Sequence, residues 1–213
     1  NPGTTESPLL DSLIDHPQID YYVALHEGVA VCAASFYAKA SKSTAVANLH
    51  VAPGLGNAIG MMYGALKASS PVIVTAGQQD SRMRLRDPLL SHDLVAMAAP
   101  VTKWSAEPQS ADEVAPLMRR AFKIANQPPA GPVFVALPID VMEQETEIPA
   151  QISGDLHQKP PPASGAIERL VELVLSSRIP AIVAGDDSAV SGAHQPLTEL
   201  VERIGASGYL EGG

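Results

Sequence analysis

Cysteine is almost absent: the 213 residues hold one, Cys32. A single thiol excludes an intrachain disulfide and a thiolate cluster for zinc or iron–sulfur, and it suits a reducing cytoplasm. Positive charge is scarce as well. Lys and Arg number 14 against 23 Asp and Glu, a net charge of −9. That balance counts against nucleic acid or an anionic membrane as partner, since both need a basic surface; an anionic substrate would need positive groups gathered locally. No apolar run approaches the roughly 18 to 20 residues that span a bilayer, and no charged-then-apolar leader opens the chain. The expected location is therefore cytoplasmic. What is present is a globular composition, 46% hydrophobic and 17% charged, in a length that suits one full domain plus a remnant. The chain opens on Asn1 rather than Met and closes on Glu211-Gly212-Gly213, so both ends are expected to be cuts through a longer protein.

Runs rich in Val, Ile, Ala and Thr alternate with segments of helical spacing, the pattern of a parallel central sheet flanked by helices, an α/β fold. Strands are predicted near Tyr21 to Leu25, Thr44 to His50, Pro71 to Ala76, Val101 to Trp104 and Val133 to Leu137. Helices fit between them over Ser7 to Asp15, Glu27 to Ala40, Asn57 to Ala68, Pro88 to Ala98 and Ala111 to Asn126. The last would be N-capped by Ser110, with Glu113 completing a capping box and Pro128-Pro129 stopping the helix. The runs PVIVTAG and PVFVALP are apolar almost throughout, as strands covered on both faces are. From about Asp140 to Ser164 the composition turns to Glu, Gln, Pro and Ser. The expected division is a domain over 1–145, a linker over 146–164, extended where prolines cluster, and a truncated second α/β unit over 165–213. In that unit Ile167 to Leu175 and Leu197 to Ile204 read as helices and Ala181 to Ala184 as a strand.

Four features invite a chemical reading. Gly54-Leu55-Gly56-Asn57-Ala58-Ile59-Gly60 follows a strand and opens a helix, with Asp80 beyond the next strand, which imitates a dinucleotide site. Three residues including Pro53 separate the strand from the first glycine, so the turn lacks the tightness that fingerprint needs; a loop packed against a neighbour or a ligand ring accounts for it as well. Gly185-Asp186-Asp187-Ser188 suggests a magnesium and diphosphate motif, but that motif needs a later asparagine and none follows Asn126; a strand-ending turn fits better. Glu27 stands where an apolar strand meets an apolar helix. A buried carboxylate there is costly unless paired, although a helix N-terminus offsets part of the cost, and first-turn capping explains it too. His50 ends a strand, at the edge where open α/β sheets place ligands; a hydrogen-bonded structural role is the plainer alternative. Cys32, Met61 and Met62 read as core.

In order and spacing these stretches resemble the N-terminal, pyrimidine-binding domain of thiamine-diphosphate-dependent 2-oxo acid decarboxylases. The segments that carry the resemblance are NPGTTE at 1–6, ALHEGVAV at 24–31, NLHVAPGLGNAIG at 48–60, SPVIVTAGQQ at 70–79, VTKWSAEP at 101–108 and GPVFVALPID at 131–140. His50 and the pair Gln78-Gln79 turn it toward the benzoylformate decarboxylase branch; acetolactate synthases share the glutamate but lack a histidine at this position. The resemblance covers residues 1 to about 145 and continues more weakly beyond.

That likeness implies roles. Glu27 would hydrogen-bond the pyrimidine N1′ of thiamine diphosphate and favour the tautomer whose own 4′-imino nitrogen acts as base. His50 would face the thiazolium and the substrate and relay protons once carbon dioxide has left. Gly54, Gly56 and Asn57 would pack against the pyrimidine ring, Pro2 and Gly3 would sit beside the cofactor, and Thr4 would stand where relatives carry a serine that contacts the substrate carboxylate. The diphosphate and its Mg2+ would be held by a C-terminal domain missing from this chain, across a homo-oligomer interface, so the fragment alone is expected to be inactive. The implied substrate is a small 2-oxo acid, aromatic like benzoylformate. Alternatives are an acetolactate synthase-like carboligase or lyase, a non-catalytic interaction module, and a nicotinamide-binding oxidoreductase resting on the glycines and Asp80.

Overall fold

The computed structural model describes residues 2–152 and 161–211. It divides into two compact units, Asn1–His157 and Gln158–Gly213, each described by itself.

In the first unit a 3-10 turn (Thr4–Glu6) runs into α1 (Ser7–Ser12), with Pro8 in its first turn, and a second 3-10 turn (Leu13–Asp15). Then come α2 (Glu27–Ser41), β1 (Ala45–Leu49), α3 (Val51–Lys67), β2 (Val72–Gln78), α4 (Leu94–Ala98), β3 (Ser105–Ala106), α5 (Ala111–Asn126), β4 (Val133–Pro138) and α6 (Ile139–Met142). The four strands form a parallel sheet in the order β1-β2-β4-β3. Period-two alternation sorts their side chains onto two buried faces. Val72, Val74 and Ala76 of β2 join Phe134 and Ala136 of β4 against Val31, Ala38, Leu55, Ala58 and Met62 of α2 and α3. Ile73, Val133 and Val135 face the other way, onto Ala121 and Ala125 of α5. Both faces are covered, which is why the strand sequences carry no polar alternation.

Several expectations are corrected. Residues 21–25 form no strand; a strand needs a hydrogen-bonded neighbour, and Tyr22 and Leu25 are 85% and 98% exposed. The strand expected over Val101 to Trp104 is displaced to Ser105–Ala106, because the approach is made through single bonds: Lys103 N–H donates to Pro132 O and Phe134 N–H to Trp104 O. The helix expected from Pro88 shrinks to Leu94–Ala98, N-capped by Asp93, after an unforeseen 3-10 segment, Ser81–Arg86. Helix α3 starts at Val51 rather than Asn57. Pro53 sits in its first turn, where a missing N–H costs nothing since that donor would have no intrahelical partner. The glycines are thus helical and not a loop. Ser110 is the N-cap residue of α5 but its side chain makes no cap bond; Glu113 accepts instead from Gln109 N–H (2.7 Å) and Gln144 Oε1 takes the Ala111 N–H.

Of the expected linker, 146–152 has no regular secondary structure and 153–160 lies outside the described residues. The second unit holds α7 (Ala166–Ser176), β5 (Ala181–Ala184), α8 (Asp186–Val190), α9 (His194–Ile204) and β6 (Ser207–Leu210). Its sheet is a parallel pair, β5 with β6. Asp186 and Asp187 open α8 instead of forming a bare turn, their charges placed at the helix end that favours them. Among the described residues no helix is long and apolar enough to cross a membrane.

Phe134 is the largest fully buried side chain of the sheet. Phe134→Ala is expected to cost about 3–5 kcal/mol of folding stability, read as a lower urea midpoint for the first unit.

Candidate active site

Parallel strands carry their carboxyl ends to one edge, and in an open α/β sheet that edge is where ligands bind. Here it collects the end of β1, the end of β2, the starts of α2 and α3, and the segment 2–6. His50 leaves β1 and is the N-cap residue of α3, with no intervening loop. The change of direction falls on Val51, which is fully buried with φ 39°, a conformation β-branched residues rarely adopt. Strain of this kind persists only where the surroundings impose it.

Glu27 is the first residue of α2 and is 6% exposed. His26 caps that helix, its Nδ1 accepting the Gly28 N–H at 3.0 Å. The Glu27 carboxylate accepts from Asn57 Nδ2 at 3.0 Å. Gly54 lies over it: a Cβ there would stand 3.4 Å from Glu27 Oε1 and 3.6 Å from His50 Cβ. The glycine thus lets the start of α3 close directly onto the buried carboxylate, with the His50 Cβ beside the same point. Gly56 is turned elsewhere, since a Cβ on it would meet Met97 Cε at 3.6 Å.

A second carboxylate occupies the same edge, and the sequence reasoning passed over it. Glu6 is 1% exposed. Its Oε1 accepts from Thr5 Oγ1 (2.7 Å) and Gly77 N–H (2.8 Å). Its Oε2 accepts from Gly3 N–H (2.7 Å) and meets His50 Nδ1 at 2.8 Å. Gly3 and Gly77 lack side chains for a steric reason: a Cβ on Gly3 would collide with the His50 ring and one on Gly77 with Glu6 Oε1. The only advance signal was Gly3-x-x-Glu6, a capping-box spacing; glycine has no side chain to give, so the structure realises only the half in which the acid reaches back to the Gly3 N–H. Burial, and then the Glu6 carboxylate, push the Tyr21 phenol above its ordinary value. Pro2 and Gly3 are half-buried while Thr4 is exposed, its carbonyl accepting from Ser7 Oγ.

Gln78 and Gln79 fasten the segment after β2, through Gln78 Nε2 to His92 O (2.7 Å) and Gln79 Nε2 to Leu89 O (3.0 Å). Asp80 caps the 3-10 segment and pairs with Arg82, whose side-chain hydrogen bonds, followed by its backbone N–H, hold that carboxyl down to about 2. An acid engaged in this way, behind glycines that are helical, removes the two features on which a nicotinamide site rested. Among the described residues no cluster of three or more His, Cys, Asp or Glu is placed to hold a metal ion.

Residues 1–97 match the family described as thiamine pyrophosphate enzyme, N-terminal TPP binding domain. The chain is 34% identical over 212 residues to benzoylformate decarboxylase of Pseudomonas aeruginosa, an alignment covering 96% of this chain and 39% of that protein. It is 31% identical over 209 residues to a probable acetolactate synthase large subunit of Methanocaldococcus jannaschii, covering 95% of this chain and 35% of that one. The crystal structure of benzoylformate decarboxylase from Polynucleobacter necessarius matches with a TM-score of 0.90 and 32% identity, over 99% of this chain and 39% of that chain. The chain therefore spans about two fifths of the length of these proteins.

Gly77→Ala places a methyl group where Glu6 Oε1 and Thr5 Oγ1 now stand. Overpacking a buried strand costs about 1–3 kcal/mol, so chemical denaturation is expected to show a lower midpoint; an unchanged midpoint would mean that Glu6 moves aside freely.

Proposed function

We propose that the carboxyl edge of this sheet, in a chain whose residues 1–97 match the N-terminal TPP binding domain of thiamine pyrophosphate enzymes, holds the pyrimidine half of thiamine diphosphate in an enzyme that decarboxylates an aromatic 2-oxo acid, benzoylformate-like, to an aldehyde and carbon dioxide. The observation that carries the reading is the buried Glu27 carboxylate against the bare backbone of Gly54, with His50 beside the same glycine. The donor set fits the group. A pyrimidinium N1′–H needs a carboxylate acceptor shielded from water, and Glu27 is one; low local dielectric strengthens that bond. Asn57 Nδ2 fixes the orientation of the carboxylate, and Gly54 lets α3 approach it without a side chain in the way. When bound, the cofactor supplies the carbon nucleophile that adds to the 2-oxo group. Glu27 holds a proton at N1′. His50 moves a proton to or from the reacting carbon, a task suited to imidazole. Pro2 and Gly3 border the ring in this reading, while Gly56, turned toward Met97, does not, and Thr4 offers its hydroxyl to the substrate carboxylate.

Diphosphate and Mg2+ belong, in the same proposal, to residues outside this chain and on another subunit of a homo-oligomer, in the cytoplasm. A second reading has a specific support: the similarity to acetolactate synthases favours a carboligase that joins the bound fragment to a second carbonyl compound. Product analysis of the full-length enzyme separates them. Benzaldehyde from benzoylformate supports the first, and a hydroxyketo acid from pyruvate the second.

Two substitutions test the roles. In the full-length protein with cofactor bound, Glu27→Gln is expected to slow hydrogen–deuterium exchange at the cofactor C2 by orders of magnitude, and exchange at the wild-type rate would remove the proposal. His50→Ala is expected to leave cofactor binding intact while turnover falls about 10²- to 10⁴-fold; full turnover would return His50 to a structural role.

A further inference from the structure

We propose that Glu6 is the positioning residue of the site: it fixes the His50 ring in one orientation and one tautomer, with the proton on Nδ1 and the lone pair of Nε2 free to take and return a proton. The proposal rests on the reading of His50 as a proton carrier, and it adds the device that prepares the ring for that work.

A carboxylate offers only acceptors. Because Oε2 of Glu6 lies 2.8 Å from His50 Nδ1, a neutral ring can bond to it only as the Nδ1–H tautomer. Among the described residues Glu6 is the only hydrogen-bond partner of the ring, so nothing opposes that choice. The carboxylate is itself immobile. Gly77 N–H holds it to the end of β2, Gly3 N–H and Thr5 Oγ1 hold it to the opening segment, and with 1% exposure it has no water to exchange with. Both flanking glycines are stripped of the atom that would block the arrangement: Gly3 on the ring side, Gly77 on the carboxylate side. His50 has little freedom of its own, between the end of β1 and the strained Val51. Backbone and side chain therefore constrain the imidazole from opposite directions. A carboxylate that did no more than cap the turn at Thr4 would need the Gly3 bond alone. The bonds to Gly77 and His50, 71 and 44 residues away in sequence, exceed that need.

A carboxylate that orients a metal-bound imidazole is worth about 10- to 100-fold in metal affinity or activity, and a loss on the same scale is expected for a proton-carrying one. The test uses full-length protein labelled with 15N-histidine, at mildly alkaline pH where imidazole is neutral, with the His50 signals identified by their loss in His50→Gln. The wild type is expected to show a protonated-type Nδ1 and a bare Nε2. Glu6→Gln, which turns an acceptor into a possible donor with almost no change of shape, is expected to move the pattern to Nε2–H. Turnover should then fall 10- to 100-fold at unchanged KM, with exchange at the cofactor C2 kept at the wild-type rate. An Nε2–H ring in the wild type overturns the proposal. So does Glu6→Gln with an unshifted ring and full turnover. Should Glu6→Gln not fold, as judged by circular dichroism, the wild-type pattern decides alone. Failure of the cofactor reading is separable, because it would appear as normal C2 exchange in Glu27→Gln while the His50 tautomer stands.

Discussion

Withdrawing the Glu6 carboxylate from water carries a penalty of several kcal/mol unless its lone pairs are met. Four donors from three separate stretches of chain meet them: the opening segment, the end of β1 and the end of β2. That requirement organises much of the edge. It demands glycine at positions 3 and 77, brings the first residues of the chain onto the sheet, and leaves His50 with a single hydrogen-bond partner among the described residues. Glu27, 6% exposed at a helix N-terminus, is held differently. Its compensation includes the dipole of α2 and Asn57 on α3.

Such an arrangement depends on the sheet being rigid where the site is built. β2 and β4 are buried along their whole length, packed by α2, α3 and α4 on one face and α5 on the other. Interiors packed this tightly transmit small displacements rather than absorb them. The segment beyond β2 is secured in the same spirit by Gln78, Gln79 and by Asp140, whose carboxylate accepts from Ser81 N–H and Oγ.

Much of the fold was legible because the central strands are covered on both sides. PVIVTAG and PVFVALP had to be buried parallel strands once helical spacing flanked them. Tyr21 to Leu25 has strand composition too, yet the described residues give it no hydrogen-bond neighbour, and pairing is decided by partners rather than by propensity. Pro53 and Gly54 read as loop residues because the weight they carry against a helix interior was applied to its first turn, where it vanishes. In the site, Glu27 stood out as a charge amid apolar neighbours. Glu6 did not, since an acid just before a helix start is ordinary, and its partners at 50 and 77 come close only in three dimensions.

The direct passage from β1 into α3 leaves no slack between them. Each residue of an α-helix turns the next by about 100°, so one residue inserted between His50 and Val51 would rotate the whole of α3 by that amount relative to the strand. Gly54 would swing off Glu27, Asn57 would lose its reach to the carboxylate, and Leu55 and Met62 would leave the core. Length variation among relatives is therefore expected to be excluded at this junction and tolerated on the far side of the sheet, where the chain has room to absorb it.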